Sequence, residues 1–342
     1  MTLILPLLSF VFTLVLMPFV IRKMLANGYT GTDVYKISKP KIAELGGIGI
    51  FAGVLVTVCV SAVFNGIFKP ELFVPLLVVI AFFGFGLFDD LFGISGRGRY
   101  SGLRKVLMVA LPFPLALPVV LVAQNYVDVP FDGGFYLDVF LFIVAPLYVV
   151  VTSNLVNIFS NFNGQSAGNV VLCLFFILLK LVIDGKADVE LVLMFTGAVL
   201  AFLVFNWYPA KVFPGNCGDY MMGAMLGVLI VANGLYAFGM ILLAPMILHF
   251  LLAVYWLVYK KKKYRNKLLR DAQKARLEKG ISETSDEYRF IGDVRSDGTI
   301  KVPHPYYFSW LFPYYFRLRE EQIVLITMVL TACCGIIAVG VA

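Results

Sequence analysis

Long unbroken runs of apolar residues, separated by shorter polar connections, dominate the pattern along this chain. Each run is about as long as the ~20-residue helix that a bilayer core requires. Apolar and polar residues do not alternate within the runs, which favours helices and argues against a membrane barrel. We therefore predict an all-α polytopic membrane protein with ten transmembrane helices. They lie near residues 3–24, 45–65, 72–92, 103–124, 137–158, 167–184, 188–206, 217–233, 235–258 and 321–341.

The composition supports this class of protein. Of the 342 residues, 60% are hydrophobic and 14% are charged, which is more apolar surface than a soluble domain needs. The five cysteines show no zinc-like spacing and indicate neither disulfide nor redox chemistry. Arg22 and Lys23 follow the first apolar run rather than precede it, so we expect a retained first span and not a cleaved signal peptide.

The distribution of charge predicts the orientation. Nearly all Lys and Arg residues lie in connections that lead from an odd-numbered helix to an even-numbered one. By the positive-inside rule these connections face the cytoplasm, and both ends of the chain face outward. In a single membrane domain spanning 1–342, the long polar segment 259–320 is then a cytoplasmic loop between helices nine and ten. Within it, Ser296–Thr299 predicts a hairpin turn, whereas Pro303–Tyr307 cannot be helical.

Four polar clusters all fall in the predicted cytoplasmic loops or at cytoplasmic helix ends. Ionised groups at membrane depth are costly and usually mark a functional site. Because the clusters converge on one side of the membrane, they predict a single active face with cytoplasmic active-site loops. The clusters are Asp33–Gly47, Asp89–Asp90 with the Arg and Lys residues that follow, Asn154–Asn169 and Asn206–Asp219.

The residue types in these clusters suit the handling of phosphates. Carboxylate and amide oxygens are ligands for Mg²⁺, which often bridges substrate phosphates, and Lys or Arg can neutralise phosphoryl oxygens. The net charge of +7 fits loop orientation or a polyanionic substrate better than nucleic acid. Asn163 lies in a loop beside Gly164, which favours a functional role. Phe213 lies outside any apolar stripe, which favours stacking, while Trp207 and Tyr208 are more typical of interface anchors.

Together the clusters resemble the polyprenyl-phosphate N-acetylhexosamine-1-phosphate transferase superfamily. The similarity is greatest to its eukaryotic and archaeal branch, the UDP-GlcNAc–dolichyl-phosphate GlcNAc-1-phosphotransferases. Lys39, Glu44, Asn157 and Lys211 lie in or beside the matching motifs and are candidate substrate-binding residues. The motifs are Lys39-Pro40 with Glu44-Leu45-Gly46-Gly47, Phe88-Asp89-Asp90, Asn157 through Gly168, and Asn206-Trp207-Tyr208-Pro209 through Gly215.

The resemblance implies a reaction and roles for individual residues. A lipid phosphate attacks the sugar-linked phosphorus of a UDP-sugar, UMP leaves, and Mg²⁺ holds the diphosphate, with Mn²⁺ able to replace it. Asp89 and Asp90 match the family's Asp pair, which orients or deprotonates the lipid phosphate. Lys105 matches a lysine near the phosphates, and Asn163 matches a magnesium ligand.

The nucleotide and sugar contacts follow from the same resemblance. Asn169 matches a uracil contact and Phe213 matches the ring that stacks on uracil, while Arg289 is matched to an arginine that reads the N-acetyl sugar. The chain departs from the pattern at two positions. Gly93 stands where the family usually has Asp or Asn, and Asn216 stands where it usually has a metal-ligating Asp. Asp219, one helical turn later, is the alternative ligand, so Asn163, Asn216 and Asp219 are the candidate metal ligands.

Several alternatives stay open. The bacterial branch that transfers a muramoyl-peptide phosphate carries a His-rich motif in its last loop, whereas this loop has only His304. A transporter or flippase of a phosphorylated or lipid-linked substrate should carry polar groups on both faces. The same reaction with another UDP-N-acetylhexosamine is also compatible with the loops. The implied setting is the cell membrane of a prokaryote, with an archaeal source favoured, or the endoplasmic reticulum of a eukaryote, and a homodimer is allowed.

Overall fold

The computed structural model describes residues 4–65, 70–92, 110–123, 139–186, 189–260 and 292–341, and helices dominate them. The α-helices are α1 (Ile4–Ala26), α2 (Gly47–Asn65), α3 (Pro70–Phe92), α4 (Pro112–Ala116), α5 (Val120–Ala123), α6 (Ala145–Ile158), α7 (Gln165–Ile183), α8 (Glu190–Asn206), α9 (Gly215–Ala232), α10 (Tyr236–Leu242), α11 (Ala244–Tyr255), α12 (Phe308–Tyr315) and α13 (Glu320–Val341). A 3₁₀ turn at Leu117–Val119 and π-helical turns at Phe140–Val144 and Trp256–Lys260 extend them. Two antiparallel hairpins pair β1 (Thr30–Thr32) with β2 (Lys41–Ala43) and β3 (Asp293–Val294) with β4 (Ile300–Lys301).

The helices are those of a membrane protein, but the predicted count of ten spans is not confirmed. Six helices of the described residues are long and apolar enough to cross a bilayer, and a seventh span results if α10 and α11 count as one. These two helices are bent by 68° at a break where Pro245 begins the second helix, as expected from a missing backbone donor. The three remaining predicted spans coincide with shorter apolar helices. Their bounds are Gly47–Val63, Pro112–Ala123 and Glu190–Asn206.

Helix α9 is the most enclosed element of the bundle. It packs against α2, α3, α6 and α7, and every residue from Cys217 to Val231 is buried. Neighbouring helices thus cover α9 along most of its length. The N-terminal end of α9 is therefore held among the ends of several other helices.

Glycine allows two of these neighbours to approach closely. A Cβ atom at Gly86 of α3 would lie 2.5 Å from the carbonyl oxygen of Asn216, and one at Gly223 would lie 2.5 Å from the Cα of Ser153 in α6. Small residues at such crossings are typical of helices in membranes, where close van der Waals contact drives association. The Gly86 contact brings the end of α3 onto the first turn of α9.

The β1–β2 hairpin is joined to the segment that precedes α9. Phe213 donates its backbone N–H to the carbonyl of Ala43 at 2.8 Å, and Gly46 donates to the carbonyl of Phe213 at 2.9 Å. Ala43 also forms a parallel bridge with Val212. The segments 30–46 and 206–216 thus form one backbone-bonded unit.

The long polar segment contains the predicted turn. Val294 pairs with Ile300, and the Asp297 carboxylate accepts the Thr299 N–H at 2.9 Å, so the Ser296–Thr299 hairpin is confirmed. The residues from Pro303 to Tyr307 are not helical, also as predicted.

A methyl group at Gly86 tests the approach of α3 to α9. We expect Gly86→Ala to lower the free energy of unfolding by about 1–3 kcal/mol, because the backbone of Asn216 cannot move aside cheaply. Gly84→Ala is the matched control, since a Cβ there meets nothing within 4 Å. Thermal unfolding in detergent compares the two. Equal midpoints would contradict the close packing.

Candidate functional site

A cavity of about 600 Å³ lies at the end of the bundle where α9 begins. Its wall contains residues from the C-terminal ends of α3, α6 and α8 and from the N-terminal ends of α9 and α13, together with the hairpin loop 32–35. The polar clusters expected to share one face of the membrane therefore do meet at one end of the helices. Eight of the predicted site residues line the cavity: Glu44, Asp89, Asp90, Asn157, Asn163, Phe213, Asn216 and Asp219.

Three other predicted residues do not line it. Lys39 forms an exposed ion pair with Asp293 at 3.1 Å, and Lys211 is exposed. Asn169 is fully buried, and its amide oxygen accepts the Thr331 hydroxyl at 2.6 Å, so this side chain joins α7 to α13. The last two predicted residues, Lys105 and Arg289, lie outside the described residues.

Asp90 caps α9 from a different helix. Its Oδ1 accepts the N–H of Asn216 at 3.0 Å, and its Oδ2 accepts the N–H of Cys217 at 2.9 Å. These are first-turn N–H groups, which have no partner within their own helix and which favour a nearby negative charge. Asp90 is thereby locked to the start of α9.

Asn216 joins the other aspartate to α6. Its Nδ2 donates to Oδ2 of Asp89 at 2.8 Å, and its Oδ1 accepts from Nδ2 of Asn157 at 2.8 Å. An ionised carboxylate can only accept hydrogen bonds, so the amide nitrogen of Asn216 must face Asp89 and its oxygen must face Asn157. The side chain of Asn216 therefore acts as a bridge between α3 and α6.

Two buried oxygens in the cavity wall have no hydrogen-bond partner within the described part of the chain. They are Oδ1 of Asn163 and Oδ1 of Asp219, whose residues are only 3% and 5% exposed. Ser160 and Ser166 lie within hydrogen-bonding reach of the Asp219 carboxylate. Orphaned buried oxygens call for an ion or a ligand, and this pair of a carboxylate and an amide suits a hard cation such as Mg²⁺. Among the described residues, no three His, Cys, Asp or Glu side chains group closely enough to bind a metal by themselves.

Phe213 and Glu44 form an adjoining part of the wall. A Cβ atom at Gly31 of β1 would overlap the Glu44 carboxylate and would lie 3.0 Å from the ring of Phe213, so both side chains close over this glycine. The backbone of Phe213 is fixed by its bonds to Ala43 and Gly46. Burial raises the pKa of the Glu44 carboxyl above its usual 4.5, and the nearby Asp90 charge raises it further.

Three residues of the site were not among the predicted ones. Lys36 contacts the carboxylates of Asp33, at 3.1 Å, and of Glu320, and its ammonium lies 4.1 Å from the centre of the Tyr208 ring. Asp33 and Glu320 both line the cavity. Asp33 and Lys36 are three residues apart in one of the predicted polar clusters, and this spacing could have indicated that both belong to the site. Glu320 lies in the first turn of a helix, where acidic residues are common, so nothing in the sequence indicated that it belongs to the site.

The described wall of the cavity is strongly acidic. No Lys or Arg of the described residues lines it, although Lys36 lies just behind. Such a wall attracts cations, and a polyanion can enter only together with positive charge. The carboxylates are Asp33, Glu44, Asp89, Asp90, Asp219 and Glu320.

Comparison with known proteins gives consistent matches. Residues 72–234 match the model of the family described as glycosyl transferase family 4. A protein of Saccharolobus solfataricus, provisionally named UDP-N-acetylglucosamine–dolichyl-phosphate N-acetylglucosaminephosphotransferase, is 30% identical over 256 residues, which cover 72% of this chain and 76% of the relative. The phospho-N-acetylmuramoyl-pentapeptide-transferase of Wolbachia pipientis is 29% identical over 276 residues, which cover 75% of this chain and 83% of that protein.

The raised pKa of Glu44 predicts how stability depends on pH. Above this pKa the buried charge destabilises the fold, and below about 4.5 the group is neutral in both the folded and unfolded states. We therefore expect Glu44→Gln to raise the thermal midpoint at pH 7, with the gain fading as pH falls through the Glu44 pKa.

Asp297 provides a control for which the expected change in the thermal midpoint has the opposite sign. Hydrogen bonds from Thr299 lower the pKa of its exposed carboxyl, so Asp297→Asn should lower the midpoint at pH 7 and should do so less in acid. Thermal unfolding of both variants between pH 3 and 7.5 measures the two trends, since the Asp297 contribution is lost only as the pH falls below about 3.8. A Glu44→Gln variant no more stable than wild type at pH 7 would contradict the electrostatic strain inferred for this carboxylate.

Proposed function

The chain belongs to the polyprenyl-phosphate N-acetylhexosamine-1-phosphate transferase superfamily, and on that basis we propose the reaction that it catalyses. It transfers N-acetylhexosamine-1-phosphate, with GlcNAc-1-phosphate as the first candidate, from a UDP-sugar to a polyprenyl or dolichyl phosphate in the membrane. UMP is released, and the sugar remains on a polyprenyl diphosphate. Asp89, Asn163 and Phe213 come from separate stretches of the chain and meet in one cavity wall, which supports this reaction most directly.

The Asp pair is assigned to orientation more than to proton removal. The second pKa of a phosphate monoester is about 6, so at neutral pH the lipid phosphate is already a competent nucleophile. One of its oxygens bonds to the sugar-linked phosphorus while the bond from that phosphorus to UMP breaks, and UMP leaves with the electron pair. Asp90 holds the start of α9, and Asp89 stands beside it, bonded to Asn216.

A divalent cation is part of the proposal because the diphosphate of the substrate must enter an acidic cavity. Mg²⁺ is the first candidate, and Mn²⁺ could replace it. Asn163 and Asp219 would hold the ion, since each has a buried oxygen without a partner in the described residues, whereas the amide of Asn216 is already bonded at both ends. When bound, the ion would neutralise charge on the phosphoryl oxygens.

The remaining substrate contacts follow from the family. We assign Phe213, in the wall beside Glu44, to stacking on the uracil ring. Lys105 is assigned to the phosphates and Arg289 to the N-acetyl sugar, and Asn157 acts through Asn216. Lys39, Lys211 and Asn169 receive no substrate contact here, because none of them lines the cavity.

Ten membrane passes are retained as part of the proposal. The cavity end of the bundle collects C-terminal ends of α3, α6 and α8 and N-terminal ends of α9 and α13, as a chain that crosses alternately requires. The three shorter apolar helices and the bent α10–α11 pair then complete the ten passes of one membrane domain. The surplus of Lys and Arg in the connections predicted at this end supports an active site in the cytoplasm, with both ends of the chain outside.

The reaction is tested by UMP release. Purified protein should release UMP from UDP-GlcNAc only when Mg²⁺ and a polyprenyl phosphate are both present. Asp89→Asn should lower turnover by roughly 100-fold or more, because a preorganised charge at the site is lost. Asp297→Asn, the same change at an exposed position of the hairpin turn that does not line the cavity, should leave turnover unchanged. Normal turnover by a folded Asp89→Asn variant would contradict the role assigned to the Asp pair in the mechanism. The same assay with a panel of UDP-sugars identifies the sugar that is transferred.

Substitutions at positions 216 and 219 identify the metal ligand. Asp219→Asn should raise the Mg²⁺ concentration needed for half-maximal UMP release by about tenfold or more, because even indirect changes at metal sites have effects of that size. Asn216→Asp should bind Mg²⁺ no more tightly than wild type, since the new carboxylate would face Asp89 and repel it. Tighter Mg²⁺ binding by Asn216→Asp would instead make residue 216 the ligand.

A further inference from the structure

Four distant stretches of the chain meet around Lys36 and the two carboxylates that it contacts. Its ammonium contacts Asp33 in the same loop and Glu320 at the start of α13, and it lies over the ring of Tyr208 in the segment before α9. Asp33 and Glu320 are 4% and 2% exposed, so the two carboxylates are buried and Lys36 is their shared counter-charge. The fourth stretch is the turn that contains Asn163.

The two carboxylates hold Asn163 by two different groups. Glu320 accepts the backbone N–H of Asn163 at 2.7 Å, and Asp33 accepts its side-chain Nδ2 at 2.9 Å. Since an ionised carboxylate has no hydrogen to donate, the amide nitrogen of Asn163 must face Asp33. The amide oxygen is therefore turned away from Asp33, and it is the atom left without a hydrogen-bond partner in the described residues.

We propose that Asp33, Lys36 and Glu320 form a positioning network that keeps the Asn163 amide oxygen available to a divalent cation in the cavity. The inference rests on the proposed function, in which Asn163 is a metal ligand. None of the three residues needs to touch the ion. Each acts through Asn163: Asp33 sets the direction of its amide, Glu320 fixes its backbone, and Lys36 contacts both carboxylates and holds them in place.

Asp33→Asn separates this role from simple packing. The new side chain has nearly the same shape, but its amide nitrogen can donate a hydrogen bond. The Asn163 amide is then free to turn over, and its oxygen becomes the acceptor of that bond instead of facing the ion. Partners that orient a metal ligand typically change metal affinity by 10–100-fold. We expect Asp33→Asn to raise the dissociation constant for Mn²⁺ by about that factor.

The experiment measures Mn²⁺ binding by electron paramagnetic resonance on the full chain purified in detergent, with the thermal midpoint as the check of folding. Lys36→Arg, which keeps the positive charge, should bind Mn²⁺ like the wild type, and so should Asp297→Asn in the hairpin turn. In the UMP assay, Asp33→Asn should need more Mg²⁺ yet approach wild-type turnover when Mg²⁺ saturates. A loss of turnover at every Mg²⁺ concentration would indicate a structural role and would overturn the proposal.

A folded Asp33→Asn variant that binds Mn²⁺ with wild-type affinity would also overturn it, while leaving the proposed transfer reaction intact. If Asp33→Asn does not fold, Glu320→Gln takes its place, because it weakens the bond to the Asn163 N–H and has the same expected loss of affinity. Absence of any Mn²⁺ binding by the wild type would remove both this network's role and the proposed metal site. Release of UMP by the same sample would then show that the transfer reaction survives.

Discussion

The first turn of α9 has backbone N–H groups that no residue of its own helix can satisfy, and the cavity end of the bundle depends on how they are bonded. The carboxylate of Asp90 accepts two of them. Because Asp90 belongs to α3, this bond fixes one helix against the other, and Gly86 lets their backbones approach closely enough for it. Asp89 directly precedes Asp90, so the same bonds bring its carboxylate to the side chain of Asn216. One of the two adjacent aspartates thus has a structural task, and the other is the one that we propose for the chemistry.

The acidic wall of the cavity has a second organising effect. Carboxylates this close to one another are unfavourable unless hydrogen bonds or cations compensate them. Asp90 is compensated by a helix end, Asp89 by an amide, and Asp33 and Glu320 by Lys36. Asp219 keeps an oxygen without a partner in the described residues, and Glu44 has a raised pKa. Asp219 and Glu44 both line the cavity in which the proposed substrate and its ion would lie.

Much of this site could be predicted because polar residues interrupt apolar helices. Asp89 and Asn163 stand out for that reason, and Phe213 stands out as an aromatic residue in a polar loop. Asn169 shows the limit of such reasoning: it follows Asn163 by less than two helical turns, yet its amide bonds to Thr327 and Thr331 of α13. Which way a helix face turns depends on packing against segments far away along the chain.

The same limit explains the missed residues. Lys36 and Glu320 are 284 positions apart, and neither has a local pattern that names the other as a partner. The apolar helices, by contrast, agree closely with the prediction, since α2 and α8 begin two residues after the predicted bounds and end at them.

The bridge between Ala43 and Val212 and the bonds from Phe213 to Ala43 and Gly46 join two stretches that are more than 150 residues apart. Segments 30–46 and 206–216 therefore form one cassette, the backbone-bonded unit described above. The ring of Phe213 and the carboxylate of Glu44 share the space over Gly31 within this cassette. An exchange of nucleotide preference between related enzymes must therefore transplant 30–46 and 206–216 together. Either stretch grafted alone would meet a foreign partner across the bridge, and the pocket proposed for the base would lose its shape.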